Sequence, residues 1–142
     1  MKIKNRITSI LEEEKLLTGD NSFDDILRRL KSSPAYIPSM RTVIKIAEGL
    51  NCSADFLLGL SDFREADDTK LDINFLAYNL KRLVKARPTK FFVLKKHGLL
   101  KEFPTFNSWL KGKRLPDTLS FSRLARKLDV SACELLKIER GV

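Results

Sequence analysis

The chain repeats one pattern of apolar positions, so that residues 38–58 correspond to residues 116–136. In both stretches apolar residues recur three and four positions apart, the period of a helix with one buried face. An offset of 78 residues aligns the pairs Pro38/Pro116, Val43/Phe121, Ile46/Leu124, Ala47/Ala125, Leu50/Leu128, Ser53/Ser131, Ala54/Ala132, Leu57/Leu135 and Leu58/Leu136. The repetition predicts two units that each end in the same pair of helices.

A serine precedes the second helix of each predicted pair. Ser53 stands before ADFLL and Ser131 before ACELL, where a hydroxyl can accept a hydrogen bond from a free backbone N–H. Asp55 and Glu134 follow in the first turn, where negative charge suits the helix dipole. Gly59 is expected to end the first of these short helices.

An amphipathic stretch also opens each unit, IKNRITSILEEEKL in the first and INFLAYNLKRLVK in the second. The residues predicted to face inward are Ile3, Ile7, Ile10, Leu11, Leu76, Leu80, Leu83 and Val84. No segment sustains the alternation of a strand. The sequence therefore predicts an all-α chain with helical units at residues 1–62 and 72–142, joined by a polar, acidic linker at residues 63–71.

Charge is divided unequally between the two halves. The whole chain has 142 residues and a net charge of +9. Residues 1–70 hold 11 Lys and Arg against 12 Asp and Glu, whereas residues 71–142 hold 16 against 6. An excess of ten positive charges in about 70 residues indicates that the second unit binds a polyanion such as nucleic acid.

Composition favours a cytoplasmic protein that folds around an apolar core. Hydrophobic residues make up 43% of the chain, and no apolar run approaches the ~18 residues that a membrane span needs. The N-terminal residues lack the apolar stretch and cleavage site of a signal peptide. Cys52 and Cys133 are too few and too far apart for a disulfide framework or a Cys-rich metal site.

The middle of the second unit carries several local signals. Thr89, following Pro88, can cap a helix KFFVLKKH in which Val93 and Leu94 point inward. Gly98 can adopt the left-handed conformation that ends a helix. Pro104 suits the first turn of the next helix, PTFNSWLKG. Phe106 and Trp109 lie three apart and are expected to anchor that helix in the core.

The second unit resembles the lambda-repressor-like (Xre-type) helix-turn-helix family over nearly its whole length. Members have five short helices, and helix three enters the major groove of DNA. A Gly, a basic turn and a Pro follow helix three and lead into helix four. The matching residues here are Gly112, Lys113, Arg114, Leu115 and Pro116. The resemblance implies two tandem domains of about five short helices each, of which the first is degenerate.

The resemblance also implies which side chains contact DNA. Thr105, Asn107 and Ser108 are the expected base contacts, because amides and hydroxyls can bond base edges. The expected phosphate contacts are Thr89, Lys90, Lys101, Lys111, Lys113 and Arg114; such contacts supply affinity and orientation. Two departures are the turn GLLKEFP, about two residues longer than usual, and Leu110, where many members carry a polar or acidic residue.

The first unit resembles the family at its end but not in its middle, and two alignments are open. In one, SFDDILRRLK is helix two and SPAYIPS is a recognition helix shortened to a stub. In the other, SFDDILRRLK is helix three, and residues 2–17 hold helices one and two. We prefer the first. In either case Asp24 and Asp25 would repel phosphate, and the apolar surface of this unit could instead form a homodimer.

Taken together, these patterns predict a sequence-specific DNA-binding transcriptional regulator, a repressor of bacterial or phage origin. The alternative is a phage-type inhibitor that binds a protein, resembling anti-CRISPR proteins, or an antitoxin. An enzyme is not expected. His97 is the one histidine, no serine or cysteine has a recognisable general base near it, and there is no phosphate-binding glycine loop. We expect double-stranded DNA as partner, no membrane, no metal and no cofactor.

Overall fold

The computed structural model describes residues 2–19, 21–66 and 69–138, which form ten α-helices and one 3-10 turn. The chain divides into two units, Met1–Asp68 and Thr69–Val142. Pairing of extended backbone in the described residues is limited to two isolated bridges, so the prediction of an all-helical chain is confirmed. Within the same residues no helix is long and apolar enough to cross a bilayer.

Unit 1 contains four described helices rather than about five. They are α1 (Lys2–Thr18), α2 (Asp24–Ser32), α3 (Met40–Gly49) and α4 (Ala54–Leu57). The inward face of α1 is the predicted one, with Ile3, Ile7, Ile10 and Leu11 buried. Because α1 is continuous, residues 2–17 do not hold two helices. Residues 33–39 form no helix, since Pro34 and Pro38 lack the backbone N–H and disfavour helical geometry in the residues before them.

The described residues of unit 2 form six helices rather than about five. They are α5 (Leu76–Ala86), α6 (Pro88–Lys96), α7 (Leu99–Glu102), α8 (Phe106–Leu110), α9 (Thr118–Leu128) and α10 (Ala132–Leu136), and a 3-10 turn at Ile73–Phe75 leads into α5. On the predicted inward face of α5, Leu76 and Leu80 are buried, whereas Leu83 and Val84 are half-buried. The segment 98–104, predicted as a turn, contains the single helical turn α7.

The 78-residue repeat is also present in the structure, because corresponding helices of the two units begin at corresponding positions. Helices α3 and α9 begin 78 residues apart, and so do α4 and α10. The hydroxyls of Ser53 and Ser131 accept hydrogen bonds from the N–H groups of Phe56 and Glu134, which confirms both as N-caps. Ser39 and Asp117 cap the preceding helices in the same manner, each accepting from a backbone N–H three residues on.

The same correspondence extends to helix C-termini. Asn51 after α3 and Asp129 after α9 both take a left-handed conformation, with φ of 51° and 54°. In each case the following N–H reaches back to the helix, from Cys52 to Ala47 and from Val130 to the equivalent Ala125. Gly59, at φ 74°, ends α4 as predicted. These local bonds explain why the repeat is visible in sequence.

The described ends of the predicted linker are folded onto their own units. The N–H of Ser53 donates to the carbonyl oxygen of Arg64 at 2.8 Å, and Glu65 bridges to Cys52. In unit 2, Ile138 donates to the carbonyl oxygen of Lys70 at 3.1 Å. Residues 67 and 68 of the linker lie outside the described residues, as do residues 1, 20 and 139–142.

Candidate nucleic-acid interface

Helix α8 is held in unit 2 by two aromatic side chains. Phe106 is fully buried and Trp109 is 5% exposed, which confirms both as core anchors. The Phe106 ring stacks on Phe91 of α6 with centroids 6.3 Å apart. Helix α8 also packs against α5, where a Cβ at Gly112 would lie 3.4 Å from the Cβ of Ala77. The packed face of this helix is therefore determined by apolar contacts.

The opposite face of α8 carries the residues predicted to contact bases. Asn107 is exposed, whereas Thr105 and Ser108 are half-buried. Thr105 occupies the N-cap position but makes no side-chain capping bond. Pro104 precedes the helix by two residues, so the expectation that it lies in the first turn is wrong. The three predicted base contacts thus fall within one short stretch around a five-residue helix.

A tight turn after α8 presents the cations. Gly112 takes a φ of 75°, and its N–H donates to the carbonyl oxygen of Trp109 at 3.1 Å. The N–H of Lys113 then donates to the carbonyl oxygen of Ser108 at 2.9 Å, completing a Schellman motif. Lys111, Lys113 and Arg114 are all exposed around this turn. A left-handed residue is required there, which is why glycine stands within the basic segment.

The start of α6 differs in detail from the sequence prediction. Pro88 is the first helical residue and Arg87 the N-cap, so Thr89 is inside the first turn and does not cap the helix. The capping prediction is wrong because proline itself favours that first position. Thr89 remains exposed, and the Phe91–Phe106 stack sets the first turn of α6 beside the first turn of α8.

Lys90 has a partner that the sequence did not indicate. Its ammonium donates to the carbonyl oxygen of Leu128, the last residue of α9. A cation at that position satisfies an otherwise free carbonyl and suits the negative end of the helix. The side chain is half-buried. The structure therefore gives Lys90 a helix-capping contact in place of the free ammonium that a phosphate contact would use.

The remaining predicted residue, Lys101, is exposed on α7. Its neighbour Glu102 forms an ion pair with Lys127 of α9 at 3.2 Å.

Phe92 and Val93, on the outer side of α6, are 66% and 44% exposed. The expectation that Val93 points inward is wrong, because Phe91 takes the buried position of this helix.

The distribution of charge along unit 2 is more uneven than its net charge suggests. Residues 73–116 contain eleven Lys and Arg and one acidic residue, Glu102, which is paired with Lys127. Five exposed cations of this segment are not among the predicted DNA contacts, namely Lys81, Lys85, Arg87, Lys95 and Lys96. The absence of Asp and Glu between Asp72 and Glu102 is the signal that identifies them. Helices α5–α8 therefore form a cationic half of the unit.

Unit 1 has no equivalent surface among its described residues. The first turn of α2 carries Asp24 and Asp25, which pair with Lys15 and Arg28 respectively. The non-helical stretch 33–39 is held by contacts from α1 and α2. Lys4 donates to the carbonyl oxygens of Ser33 and Pro34 at 2.7 and 3.0 Å, and the Arg29 guanidinium lies 4.3 Å from the centre of the Tyr36 ring.

In the part of the chain that the structure describes, no group of three or more His, Cys, Asp and Glu side chains could hold a metal ion. Comparison with protein-family models, with curated proteins and with solved structures finds no match for this chain. The features of the chain that bear on its function are therefore the geometry and charge of unit 2.

Proposed function

We propose that the chain is a sequence-specific DNA-binding transcriptional regulator, a cytoplasmic repressor of bacterial or phage origin without enzymatic activity. Unit 2 is its DNA reader, a domain of the lambda-repressor-like helix-turn-helix type, and unit 1 is a degenerate copy of the same fold. The observation that carries the proposal is the exposed polar face of α8, followed at once by a basic turn, within a segment of eleven cations and one paired acid.

In the proposed complex, α8 lies in the major groove of double-stranded DNA. Asn107 is the best placed of the three base contacts, because it is exposed and its amide can bond an adenine edge in two places. Thr105 and Ser108 reach bases through the exposed parts of their side chains. Lys111, Lys113 and Arg114 neutralise phosphates on one side of the helix, and Thr89 and Lys101 lie on the two helices before it.

The proposed mechanism of repression is steric, since a protein bound at an operator blocks polymerase. Unit 1 keeps the helix pair α3–α4 but lacks a helix where unit 2 has α8, among the residues described. We assign unit 1 to homodimer formation. Leu16 and Leu17 at the end of α1 are 88% and 73% exposed, which supports an apolar contact there. A symmetric dimer would read two half-sites about 34 Å apart.

The experiment that tests this proposal is fluorescence anisotropy with labelled DNA from upstream of the protein's own gene. Binding is measured against scrambled competitor at several salt concentrations. About five phosphate contacts should give a slope of roughly −4 to −5 in log K against log salt. Tight, sequence-dependent binding with such a slope would support the proposal. Weak binding that is indifferent to sequence would refute it.

A second candidate is a protein-binding inhibitor or antitoxin that keeps the same fold. The observation that favours it is the exposed apolar side of α6, where Phe92 and Val93 lie beside exposed Lys95 and Lys96. An apolar surface with a cationic rim suits an acidic protein partner. Because the centre of such a contact is apolar, its salt slope should be shallower than the roughly −4 to −5 expected for DNA, and a shallow slope together with loss of partner binding in Phe92→Ser would favour this candidate.

A further inference from the structure

The orientation of helix α8 within unit 2 depends on contacts with its neighbours. It has five residues, and Thr105 at its N-cap makes no side-chain capping bond. Helices this short are unstable in isolation, so their placement depends on the contacts around them. Phe106 and Trp109 fix its depth in the core. Its angle depends in addition on the connection between α7 and α8, residues 103–105, because this connection leads directly into the first turn.

Two cations of α9 hold the residues at the start of this connection. Arg123 and Lys127 are four residues apart and therefore share one face of α9. The Arg123 guanidinium lies 5.5 Å from the centre of the Phe103 ring, and Lys127 Nζ lies 3.2 Å from a carboxylate oxygen of Glu102. One face of α9 thus contacts the last residue of α7, Glu102, and the residue that follows it, Phe103. We call these four residues the α9 clasp.

The clasp is linked to α8 by side-chain and backbone contacts. The Phe103 ring meets Trp109 edge-on, with centroids 6.0 Å apart. The N–H of Phe106, the first residue of α8, donates to the carbonyl oxygen of Phe103 at 3.0 Å. Movement of Phe103 would therefore displace both ends of the five-residue helix.

Helix α9 is itself a firm base for the clasp. Asp117 caps its first turn through a 2.7 Å bond from Ser120, and Lys90 holds the carbonyl oxygen at its end. Its own residues Leu124 and Ala125 are fully buried. The α9 clasp thus connects the well-packed helix α9 to the short helix α8, which has few local contacts of its own to fix its orientation.

The internal repeat offers a comparison. The positions of unit 1 that correspond to Arg123 and Lys127 are Lys45 and Gly49. A Cβ at Gly49 would lie 2.9 Å from the Phe23 ring, so a side chain there would require that ring to shift. Unit 1 also forms no helix in its described residues 33–39. The paired cations therefore occur in the unit that has α8 and not in the one that lacks it.

We infer that Arg123 and Lys127 are positioning residues that set the angle of α8, rather than phosphate contacts. This inference rests on the proposed function of unit 2 as a DNA reader. Both are exposed cations on a cationic unit, so charge alone would count them among the DNA contacts. Their guanidinium and ammonium groups are instead engaged with Phe103 and Glu102. Their effect on DNA binding passes through α8 and is an effect on sequence selectivity.

The first test needs no DNA. Trp109 is the sole tryptophan of the chain and lies in α8, so its fluorescence reports the clasp directly. In Arg123→Ala we expect the emission to shift to longer wavelength and quenching by acrylamide to increase, while circular dichroism shows that the helices remain. Arg123→Lys should restore part of the native signal, because an ammonium can also sit over a ring. Lys45→Ala, which removes the corresponding cation of unit 1, should change nothing.

The second test separates positioning from contact. In Arg123→Ala and in Glu102→Gln, which touches no DNA in the proposed complex, the preference for operator over scrambled DNA should fall about threefold. The salt slope should stay at its native value, whereas loss of a phosphate contact would reduce it by about 0.9. A reduced slope in Arg123→Ala, or native Trp109 fluorescence in that variant, would overturn the inference. If the native chain shows no specific DNA binding, the proposed function fails, and the fluorescence result still decides whether the clasp positions α8.

Discussion

The backbone N–H of Lys113 donates to the carbonyl oxygen of Ser108 across 2.9 Å, although the two residues lie on opposite sides of the end of α8. This bond reverses the chain immediately after the helix. It joins a predicted phosphate contact to a predicted base contact, so the basic turn and the polar face of α8 form one rigid feature. The bond depends on Gly112, whose left-handed conformation brings the two groups together.

Replacement of Gly112 with Ala should destabilise unit 2 by about 1–2 kcal/mol, because a Cβ is strained at a φ of 75°. Thermal unfolding followed by circular dichroism measures the loss. Gly112→Asn is the matched control, since Asn tolerates this conformation better, and it should recover part of the stability. Equal stability of the Ala and Asn variants would show that backbone strain at this position has no effect.

Asn107→Ala should relax sequence preference, at a cost of about 1–3 kcal/mol for the preferred DNA alone. Lys113→Ala combined with Arg114→Ala should instead weaken the binding of all DNA sequences similarly. The salt slope should become shallower by about 0.9 for each of the two lost phosphate contacts. Selection from a random DNA library, followed by anisotropy on the selected sequences, measures both. Unchanged preference in Asn107→Ala would mean that this side chain does not read a base.

Trp109→Ala should unfold unit 2, at a cost of about 3–5 kcal/mol, because it removes a large buried aromatic. Circular dichroism during urea unfolding measures this without the lost fluorophore. Unit 1 should retain its own transition, since its core is built from other residues. A fully stable Trp109→Ala chain that merely failed to bind DNA would contradict the core assignment.

Lys90→Met should reduce stability while leaving the salt slope of DNA binding unchanged. Methionine keeps an apolar stem of similar length but cannot donate to the carbonyl oxygen of Leu128. We expect a loss of about 1 kcal/mol, typical of one hydrogen bond to a charged donor at a partly exposed site. If stability were native and the slope fell by about 0.9, Lys90 would be a phosphate contact after all.

Cys52 should resist alkylation in the folded chain. Burial raises the pKa of its thiol from 9.0 to about 11, with nearby Arg64 lowering it and Glu14 raising it to smaller extents. The thiolate is the reactive form, so at pH 8 Cys52 should react more slowly than the half-buried Cys133. Mass spectrometry of iodoacetamide-treated protein compares the two sites, and equal rates would contradict the burial of Cys52.

The same pKa shift has a consequence for stability. Because the thiol ionises at lower pH in the unfolded chain than in the folded one, the folded state binds more protons between about pH 9 and pH 11. The contribution of Cys52 to stability is therefore fully present below pH 9 and is lost as the pH rises through that window. Cys52→Ala should abolish this part of the pH dependence in urea unfolding.

Features that depend on neighbours within four or five residues could be predicted from the sequence. The serine caps of α4 and α10, the end of α4 at Gly59 and the anchors Phe106 and Trp109 are of this kind. Contacts between distant parts of the chain could not. Nothing local indicates that Lys90 reaches Leu128, 38 residues away. The run KFFVLKK is apolar at four consecutive positions, so its periodicity does not determine which side chain is buried.

Very short helices could not be predicted from the sequence pattern either. The single turn α7 lies in a segment whose length indicated only a long turn, because one turn of helix has too few residues for a periodic pattern. The two predictions that failed at helix starts, Thr89 and Pro104, each placed a boundary two residues from its true position. Local signals of this type identify helices more reliably than they identify helix ends.

The two units share a pair of helices with matching positions but differ in the length of the segment that precedes this pair. Seven residues, 33–39, connect α2 to α3, whereas 21 residues, 97–117, connect α6 to α9 and include α7, α8 and the basic turn. The helix pairs that follow these two connections, α3–α4 and α9–α10, carry caps and buried residues at corresponding positions. A chimaera in which residues 97–117 replace residues 33–39 would therefore leave the frame of unit 1 intact. Insertions between α2 and α3 are therefore the change by which this helix frame could gain or lose a segment such as α7, α8 and the basic turn without rebuilding its core.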